Sequence, residues 1–239
     1  MKKHILIPIF LLLVLASSVR AERYHFSGGG FSFGIHNVDL GFLDNEFQRF
    51  TPGFKKIEGH LMLFGGFGYG EVDDGIRIGG YGFGGGTTIS GIIPNSNQIR
   101  QDVSIEVSAG GFLVEYVPLH MFRRFEVDLD LGLGLGGADI TIDQFGPNVT
   151  WEDMMGSLDP DSADSRQTFS MTMTQGFFMV EPALILKYYI NSFMAIEGRA
   201  GYLLIVGMGD WQFRDVKILD MPDVDLSAPV LGLRVTFGG

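Results

Sequence analysis

Along much of this chain, apolar and polar residues alternate with a period of two, most clearly in the stretch from Phe125 to Ile142. The odd positions of this stretch are apolar as far as Leu135. The even positions begin with three carboxylates, Glu126, Asp128 and Asp130, and continue with three glycines. Because successive side chains of a strand point to opposite faces, the stretch predicts a strand with one apolar and one polar face.

The same alternation recurs along the chain and predicts eight long strands. They cover approximately residues 23–40, 57–72, 76–92, 103–119, 125–142, 167–190, 193–211 and 227–237. The connections between them alternate long and short from one end of the chain to the other. Transmembrane barrels have an even strand number and short turns at one rim, and their strands are long for a soluble sheet. We therefore predict an all-β fold, an eight-stranded antiparallel up-and-down transmembrane β-barrel with an apolar outer face.

Glycine clusters interrupt several of these strands, and each is interpreted as a place where the alternation slips by one residue. After Gly110-Gly111, the apolar face of Val103, Ile105 and Val107 is expected to continue at Phe112, Val114 and Tyr116. After Gly176, the outward residues Met171 and Met173 are expected to give way to Phe178 and Val180. A slip at glycine is what a β-bulge produces.

Residues 1–21 have the features of a secretory signal peptide. Lys2 and Lys3 precede an apolar run of about a dozen residues, which is shorter than the roughly 20 that a spanning helix needs, and Val19-Arg20-Ala21 fits a cleavage site. We expect cleavage after Ala21, with residues 22–239 forming the barrel. The formal charge of −11 argues against a nucleic-acid partner, and the absence of cysteine excludes disulfides and thiol chemistry. No cofactor is predicted.

Together with this strand plan, the closing segment LGLRVTF, which ends at Phe237, resembles the last strand of small outer-membrane barrels of the OmpX, OmpW and OmpA transmembrane type. The resemblance covers about residues 23–237 and implies a place in the cell outer membrane. It also implies contact with outer-membrane lipid and insertion by the barrel assembly machinery. Gly238-Gly239 after the terminal aromatic departs from the pattern.

The polar face of the predicted strands places nine charged residues in the lumen, and an eight-stranded barrel is narrow enough for side chains to fill it. They are Arg77, Glu106, Glu126, Asp128, Asp130, Lys187, Glu197, Arg199 and Arg234. Buried charges are tolerated when they are paired. These residues are interpreted as a structural ion network that plugs the lumen, and the alternative is a narrow acidic path for cations.

Four aromatic residues in the long connections, Phe47, Phe50, Phe54 and Trp151, could form a gate at the barrel mouth. A short helix or loop packed on the mouth would explain the same spacing. We expect a non-enzymatic outer-membrane protein with a structural or surface role, or one that passes small compounds, hydrophobic ones among them. The alternatives are a lipid-modifying enzyme of the outer leaflet and a secreted soluble β-barrel ligand binder.

Patterns for other chemistry are weak. The G-x-G runs near Gly80 open no helix, so they do not predict a nucleotide site. Asp159, Asp161 and Asp164 lack the spacing of an EF-hand and are interpreted as a solvated acidic loop. His25, His36, His60 and His120 lie beside no recognisable nucleophile and at no metal-ligand spacing, so neither catalysis nor a metal site is predicted.

Overall fold

The computed structural model describes residues 27–41, 59–92, 99–121, 124–146, 169–219, 221 and 224–238, without the side chains of residues 119–121. Its strands are β1 Gly28–Asn37, β2 His60–Asp73, β3 Ile76–Ile92, β4 Arg100–Met121, β5 Phe125–Phe145, β6 Phe169–Tyr189, β7 Met194–Gly207, β8 Gln212–Phe213, β9 Val216–Lys217 and β10 Ala228–Gly238. None of the helical segments in this part of the chain has the length and hydropathy to span a membrane.

Eight long strands form a closed antiparallel barrel. Their order is β5-β4-β3-β2-β1-β10-β7-β6, and β6 pairs with β5 to complete the circle. The tight turn between β2 and β3 has Gly75 at a φ of 76°, a conformation that favours glycine. The predicted fold class and strand number are therefore confirmed. The short hairpin β8–β9 in the last long connection was not predicted, because two-residue strands leave no alternation to detect.

The outer surface of the barrel carries a belt of exposed apolar side chains toward the end with the short turns. On β5 it runs from Phe125, which is 41 % exposed, to Leu135, which is 57 % exposed. Aromatic pairs lie near the short turns, with Phe125 4.9 Å from Tyr188 and Phe193 5.9 Å from Phe237 between ring centroids. An apolar belt with aromatic residues at its border is typical of membrane barrels.

The strands β3 to β6 continue well beyond this belt without any slip in register. The β4–β5 pairing is unbroken from Arg100↔Phe145 to Tyr116↔Leu129. The β5–β6 pairing is unbroken from Phe125↔Tyr188 to Gln144↔Phe169. The predicted slips at Gly110-Gly111 and Gly176 were therefore wrong: Val103, Ile105, Val107 and Met173 are buried inside the barrel, as the constant alternation requires.

The polarity of the wall changes along each of these strands while the alternation stays constant. On β5, the outward positions are apolar up to Leu135 and then become Gly137, Asp139, Thr141 and Asp143. The inward positions change in the opposite sense, from Glu126, Asp128 and Asp130 through three glycines to Ala138 and Ile140. The upper part of the barrel is thus built like a soluble barrel, with an apolar inside and a polar outside.

The glycines between these two zones make room for aromatic rings inside the barrel. A Cβ atom at Gly134 would lie 2.7 Å from the hydroxyl of Tyr81 and 2.8 Å from Gly110 O, and one at Gly136 would lie 2.5 Å from the ring of Phe177 and closer still to Ser108 O. Protein interiors are close-packed, so these rings and the adjacent backbone of β4 leave no room for a side chain at Gly134 and Gly136. The glycine run is therefore a packing feature of the interior.

Candidate functional site

The barrel interior next to the short turns holds a network of buried charged side chains. Six carboxylates and four basic groups in the described part of the chain take part. They are Glu115, Glu126, Asp128, Asp130, Glu181 and Glu197, with Arg77, Lys187, Arg199 and Arg234. All belong to inward positions of β3, β4, β5, β6, β7 and β10, so the alternation of these strands brings them together.

Arg77 and Lys187 are at the centre of the larger part of this network. Arg77 Nη1 lies 2.5 Å from Glu115 Oε1 and 2.6 Å from Glu126 Oε1. Lys187 Nζ lies 3.1 Å from the same Glu115 oxygen and 3.0 Å from Asp128 Oδ2. All five side chains are at most 2 % exposed. Charges removed from water this completely require close partners, which these contacts supply.

Tyrosine hydroxyls complete the surroundings of these ions. Lys187 Nζ donates to the hydroxyl of Tyr69 at 3.0 Å, and the hydroxyl of Tyr189 donates to Glu126 Oε2 at 3.0 Å. The ring of Tyr69 also lies 5.5 Å from the guanidinium carbon of Arg77. Charge-assisted hydrogen bonds and ring contacts of this kind offset part of the cost of burial.

A smaller part of the network lies around Arg234 and Arg199. Arg234 Nη1 lies 3.0 Å from Asp130 Oδ2, and Arg199 Nη1 lies 2.7 Å from Glu181 Oε1. Glu197 accepts a hydrogen bond from the hydroxyl of Thr236 at 2.5 Å. The same carboxylate lies 3.5 Å from Lys187 Nζ, and this contact joins the smaller part of the network to the larger part. The interior is thus cross-linked between six strands.

Above these charges the interior is apolar. The core there includes Leu61, Leu63, Val103, Ile105, Val107, Ala138, Ile140, Met173, Phe177, Met179 and Leu203. A cavity of about 30 Å³ lies at the junction of the two zones and is lined by Glu181, Arg199 and Arg234 together with Leu63 and Leu203. This space is sufficient for about two water molecules. In the described interior, charged side chains thus occupy the lower zone and apolar side chains the upper zone.

Three carboxylates of the network have the proximity of a metal site. Glu115, Glu126 and Asp128 each place an oxygen within 4.8 Å of the other two. Arg77 and Lys187 already contact these oxygens, so a cation could enter only by displacing a basic side chain. The arrangement is that of an ion network whose positive charges are supplied by the protein itself.

Eight of the nine residues predicted to line the lumen lie in the interior, and Glu106 does not. Glu106 is exposed on the outer face of β4, in the zone above the apolar belt, and lies directly opposite Asp139 of β5. The prediction for Glu106 was wrong because the polar face of β4 turns outward once the strand leaves the belt. The proposed gate residues Phe47, Phe50, Phe54 and Trp151 lie outside the described residues, as do Asp159, Asp161 and Asp164.

Two members of the network were missed from the sequence, although the alternation contained a signal for both. Glu115 lies between the outward residues Val114 and Tyr116 and is fully buried. Glu181 follows the outward Val180 and is 2 % exposed. In the belt zone, any charged residue between two apolar outward residues points into the lumen.

The histidines that the structure describes are separated from the charge network. His36 is fully buried at the level of the apolar zone, and neither of its ring nitrogens has a hydrogen-bond partner among the described residues. His60 is exposed, and its Nδ1 lies 2.5 Å from Asn37 Oδ1. His25 and the side chain of His120 lie outside the described part.

The outer face above the belt is a polar sheet surface. Thr88, Ser104, Thr141 and Thr172 face one another across β3 to β6. Their hydroxyls are 2.9 Å apart for Thr88–Ser104 and 3.0 Å apart for Thr141–Thr172. Asp102 lies on this surface at the upper end of β4. Its partial burial acts to raise the pKa of the carboxyl, but hydrogen bonds from Arg100 and Ser90 outweigh this effect and hold the pKa below its usual value. This surface is suited to water rather than lipid.

Comparisons with known proteins gave structural similarity only. No protein-family model and no curated protein sequence matches the chain. Ail, the attachment invasion locus protein of Yersinia pestis, solved with the heparin analogue sucrose octasulfate, is 12 % identical, with a TM-score of 0.38 over 90 % of this chain and 97 % of Ail.

Two further solved structures are similar over most of their length. A major outer membrane protein from Thermus thermophilus is 9 % identical, with a TM-score of 0.48 over 89 % of this chain and 99 % of that protein. The outer membrane protease OmpT from Escherichia coli is 8 % identical, with a TM-score of 0.38 over 93 % and 97 % of the two chains. By its own strand pairing, closure and apolar belt, this chain is an eight-stranded transmembrane β-barrel, the fold class of the small outer-membrane barrels.

Proposed function

We propose that this chain is a non-enzymatic outer-membrane barrel that does not conduct along its axis and serves a structural or surface role. The observation that carries the proposal is the filled interior, with an ion network below and an apolar core above. An open channel needs a continuous polar path, and the apolar zone around Leu61 and Leu203 interrupts one. The extension of β3 to β6 beyond the belt supports a role at the cell surface.

In this proposal the signal peptide, residues 1–21, directs export and is removed after Ala21. The mature chain is inserted by the barrel assembly machinery and is surrounded by outer-membrane lipid. The apolar belt and the aromatic pairs at its border support this placement. Fractionation of cells that express the full chain tests it: the mature protein, beginning at Glu22, is expected in the outer membrane.

Single-channel recording of the refolded mature chain in planar bilayers tests the sealed interior. Folding is verified first by a difference in gel mobility between unheated and boiled samples. We expect no steady conductance above the lipid baseline, whereas an open porin in the same bilayers serves as the positive control. A reproducible cation-selective conductance from the folded chain would refute the sealed barrel and favour the acidic path instead.

The surroundings of the two described histidines support the non-enzymatic part of the proposal. His36 is enclosed in the barrel interior, where no outer-leaflet lipid reaches it, and His60 contacts an amide rather than a nucleophile. Incubating the folded chain with phospholipid and lipopolysaccharide, followed by mass spectrometry of the lipids, tests this directly. Lipid turnover that exceeds a boiled control would overturn the non-enzymatic assignment.

A further inference from the structure

The cavity at the border between the charged and the apolar zone lies where two glycines are paired on the inner face of the barrel. Gly34 of β1 pairs with Gly232 of β10, and both line this cavity of about 30 Å³. The buried His36 and Arg234 lie two positions away on the same two strands, so both glycines are inward positions. The pair therefore leaves a gap between side chains inside the wall.

We propose that this cavity binds ordered water, which completes the hydrogen bonds of the two buried arginines that line it, Arg199 and Arg234. The inference goes beyond the proposed function, because it assigns a ligand and a binding site inside the barrel. A cavity needs about 10–15 Å³ to hold one water molecule, so the volume suits water and excludes lipids, sugars and nucleotides.

Both arginines have N–H groups without a hydrogen bond. Arg234 is 3 % exposed, and its Nε has no hydrogen-bond partner in the described part of the chain. The Nε of Arg199 lies 3.9 Å from Asp130 Oδ2, which is too far for a hydrogen bond. A guanidinium keeps its protons in proteins, and buried polar groups bond to the protein or to ordered water. These donors therefore need an acceptor in the cavity.

The charges around the cavity favour a neutral ligand. Glu181 lies 2.7 Å from Arg199 Nη1, and Asp130 lies 3.0 Å from Arg234 Nη1. Two guanidinium groups and two carboxylates carry no net charge, and burying a further ion without a partner is costly. Water avoids this cost. It accepts hydrogen bonds from the arginines and donates to a carboxylate or to the hydroxyl of Ser32, which also lines the cavity.

The glycine at position 34 supports a ligand in this space. A Cβ atom at Gly34 would lie 3.5 Å from Leu231 O and from Val230 Cγ2, which is ordinary van der Waals contact. A Cβ atom at Gly232 would lie 2.7 Å from Phe33 O, so the backbone itself requires glycine there. Glycine weakens a strand relative to alanine, and the protein around Gly34 does not require it. Room for water explains the residue.

X-ray radiolysis of the folded mature chain in nanodiscs, followed by mass spectrometry, tests for the water directly. Hydroxyl radicals formed from a bound water oxidise the side chains beside it, even where these are buried. Leu203 is 1 % exposed and lines the cavity, whereas Ile105 is 1 % exposed and does not line it. We expect oxidation at Leu203 and only background at Ile105. After mixing with heavy-oxygen water, Leu203 should acquire the heavy isotope more slowly than the exposed Ile92.

Gly34→Ala separates a hydrated cavity from a dry one by the sign of its effect. In a hydrated cavity the methyl group displaces water and leaves arginine N–H groups without an acceptor. We therefore expect the midpoint of urea unfolding to fall by about 0.5–1 M and the oxidation of Leu203 to decrease. In a dry cavity the methyl group would fill space and raise the midpoint.

Gly198→Ala is the matched control for this substitution. Gly198 follows the inward Glu197 on β7, so it points outward, and its Cβ would meet nothing closer than Leu186 O at 4.0 Å. We expect its midpoint to stay the same or to rise slightly, and the oxidation of Leu203 to remain as in the unmodified chain.

A folded chain without oxidation at Leu203, or a midpoint that is higher for Gly34→Ala than for Gly198→Ala, would overturn the water site and leave the sealed barrel of the proposed function intact. Equal oxidation of Leu203 and Ile105, with immediate isotope exchange at both, would show bulk water throughout the interior and refute both. If Gly34→Ala does not fold, the radiolysis of the unmodified chain decides the question.

Discussion

Glu106 and Glu115 lie on the same strand, β4, and their side chains point to opposite sides of the barrel wall. Glu106 is exposed on the outer face, opposite Asp139, whereas Glu115 is fully buried and contacts Arg77 and Lys187. Their positions differ by an odd number in a strand whose register is unbroken between them. One strand therefore presents carboxylates to water on one side and to an ion network on the other.

The first prediction compares the neutral variants of these two residues. E115Q removes a carboxylate that contacts both Arg77 and Lys187, which keep Glu126 and Asp128 as partners, so we expect the free energy of unfolding to fall by about 1–3 kcal/mol. E106Q removes an exposed charge that faces another carboxylate and is expected to change the free energy of unfolding by no more than about 0.5 kcal/mol. Urea unfolding of the refolded chains in detergent, followed by gel mobility, measures both. Equal losses would contradict the placement of Glu106 outside the barrel.

The sequence alone predicted the strand number and most of the charged residues inside the belt zone, although it missed Glu115 and Glu181, and it did not predict the zone above the belt. Alternation shows that a strand has two different faces, and the surroundings decide which face points inward. Around Leu129 the outer medium is lipid, so the apolar face points outward. Around Ile140 the outer medium is water, so the apolar face points inward. The alternation of side chains continues unchanged between the two zones. Interpreting this change of polarity as a slip at glycine misplaced Glu106 and Met173.

Pairing within the network could not be derived from the sequence either, since it depends on which strands face each other across the lumen. Lys187 on β6 contacts Glu115 on β4 and Glu197 on β7, and it donates to Tyr69 on β2. Such contacts follow from the tilt and closure of the barrel, which set the relative heights of residues on different strands.

The second prediction concerns Lys187 as the central cation. Its Nζ lies within 3.6 Å of oxygens from Glu115, Glu126, Asp128 and Glu197. Lys187→Met leaves these carboxylates with too little positive charge, and we expect a loss of about 3–5 kcal/mol in the free energy of unfolding. The measurement is urea unfolding at neutral pH.

The double variant K187M/D128N serves as the control for this interpretation. Removing the carboxylate that lies 3.0 Å from Nζ should restore part of the lost stability, because it reduces the repulsion left behind. The double variant is therefore expected to be more stable than K187M alone. Additive losses would show that Lys187 acts through packing of its aliphatic stem rather than through charge.

The third prediction tests the glycines of β5. Gly136→Ala places a methyl group against the carbonyl oxygen of Ser108 and the ring of Phe177, so we expect a loss of about 1–3 kcal/mol from overpacking. Gly137→Ala is the matched control: its Cβ points outward and meets nothing closer than Gln175 O at 3.9 Å. We expect little change in the midpoint of urea unfolding for Gly137→Ala. A larger loss at Gly137 would show that chain flexibility, and not the limited space beside Ser108 and Phe177, selects glycine here.

The fourth prediction locates the upper border of the membrane on a single face of β5. Leu133 and Thr141 both point outward, Leu133 within the apolar belt and Thr141 in the polar zone, where its hydroxyl lies 3.0 Å from that of Thr172. Leu133→Arg exposes a charge to hydrocarbon and is expected to cost about 2–4 kcal/mol. Thr141→Arg stays in water and loses one exposed hydrogen bond, at a cost of about 1 kcal/mol or less.

Folding of both variants into phospholipid vesicles, followed by urea titration, gives the two free energies. We expect L133R to insert slowly and unfold at lower urea, and T141R to behave like the unmodified chain. Similar large losses in both would mean that the bilayer also covers Thr141, and the polar rows of β3 to β6 would then have to face lipid. Because the two positions share a strand, a face and the introduced residue, the difference between them isolates the change of medium along the barrel wall.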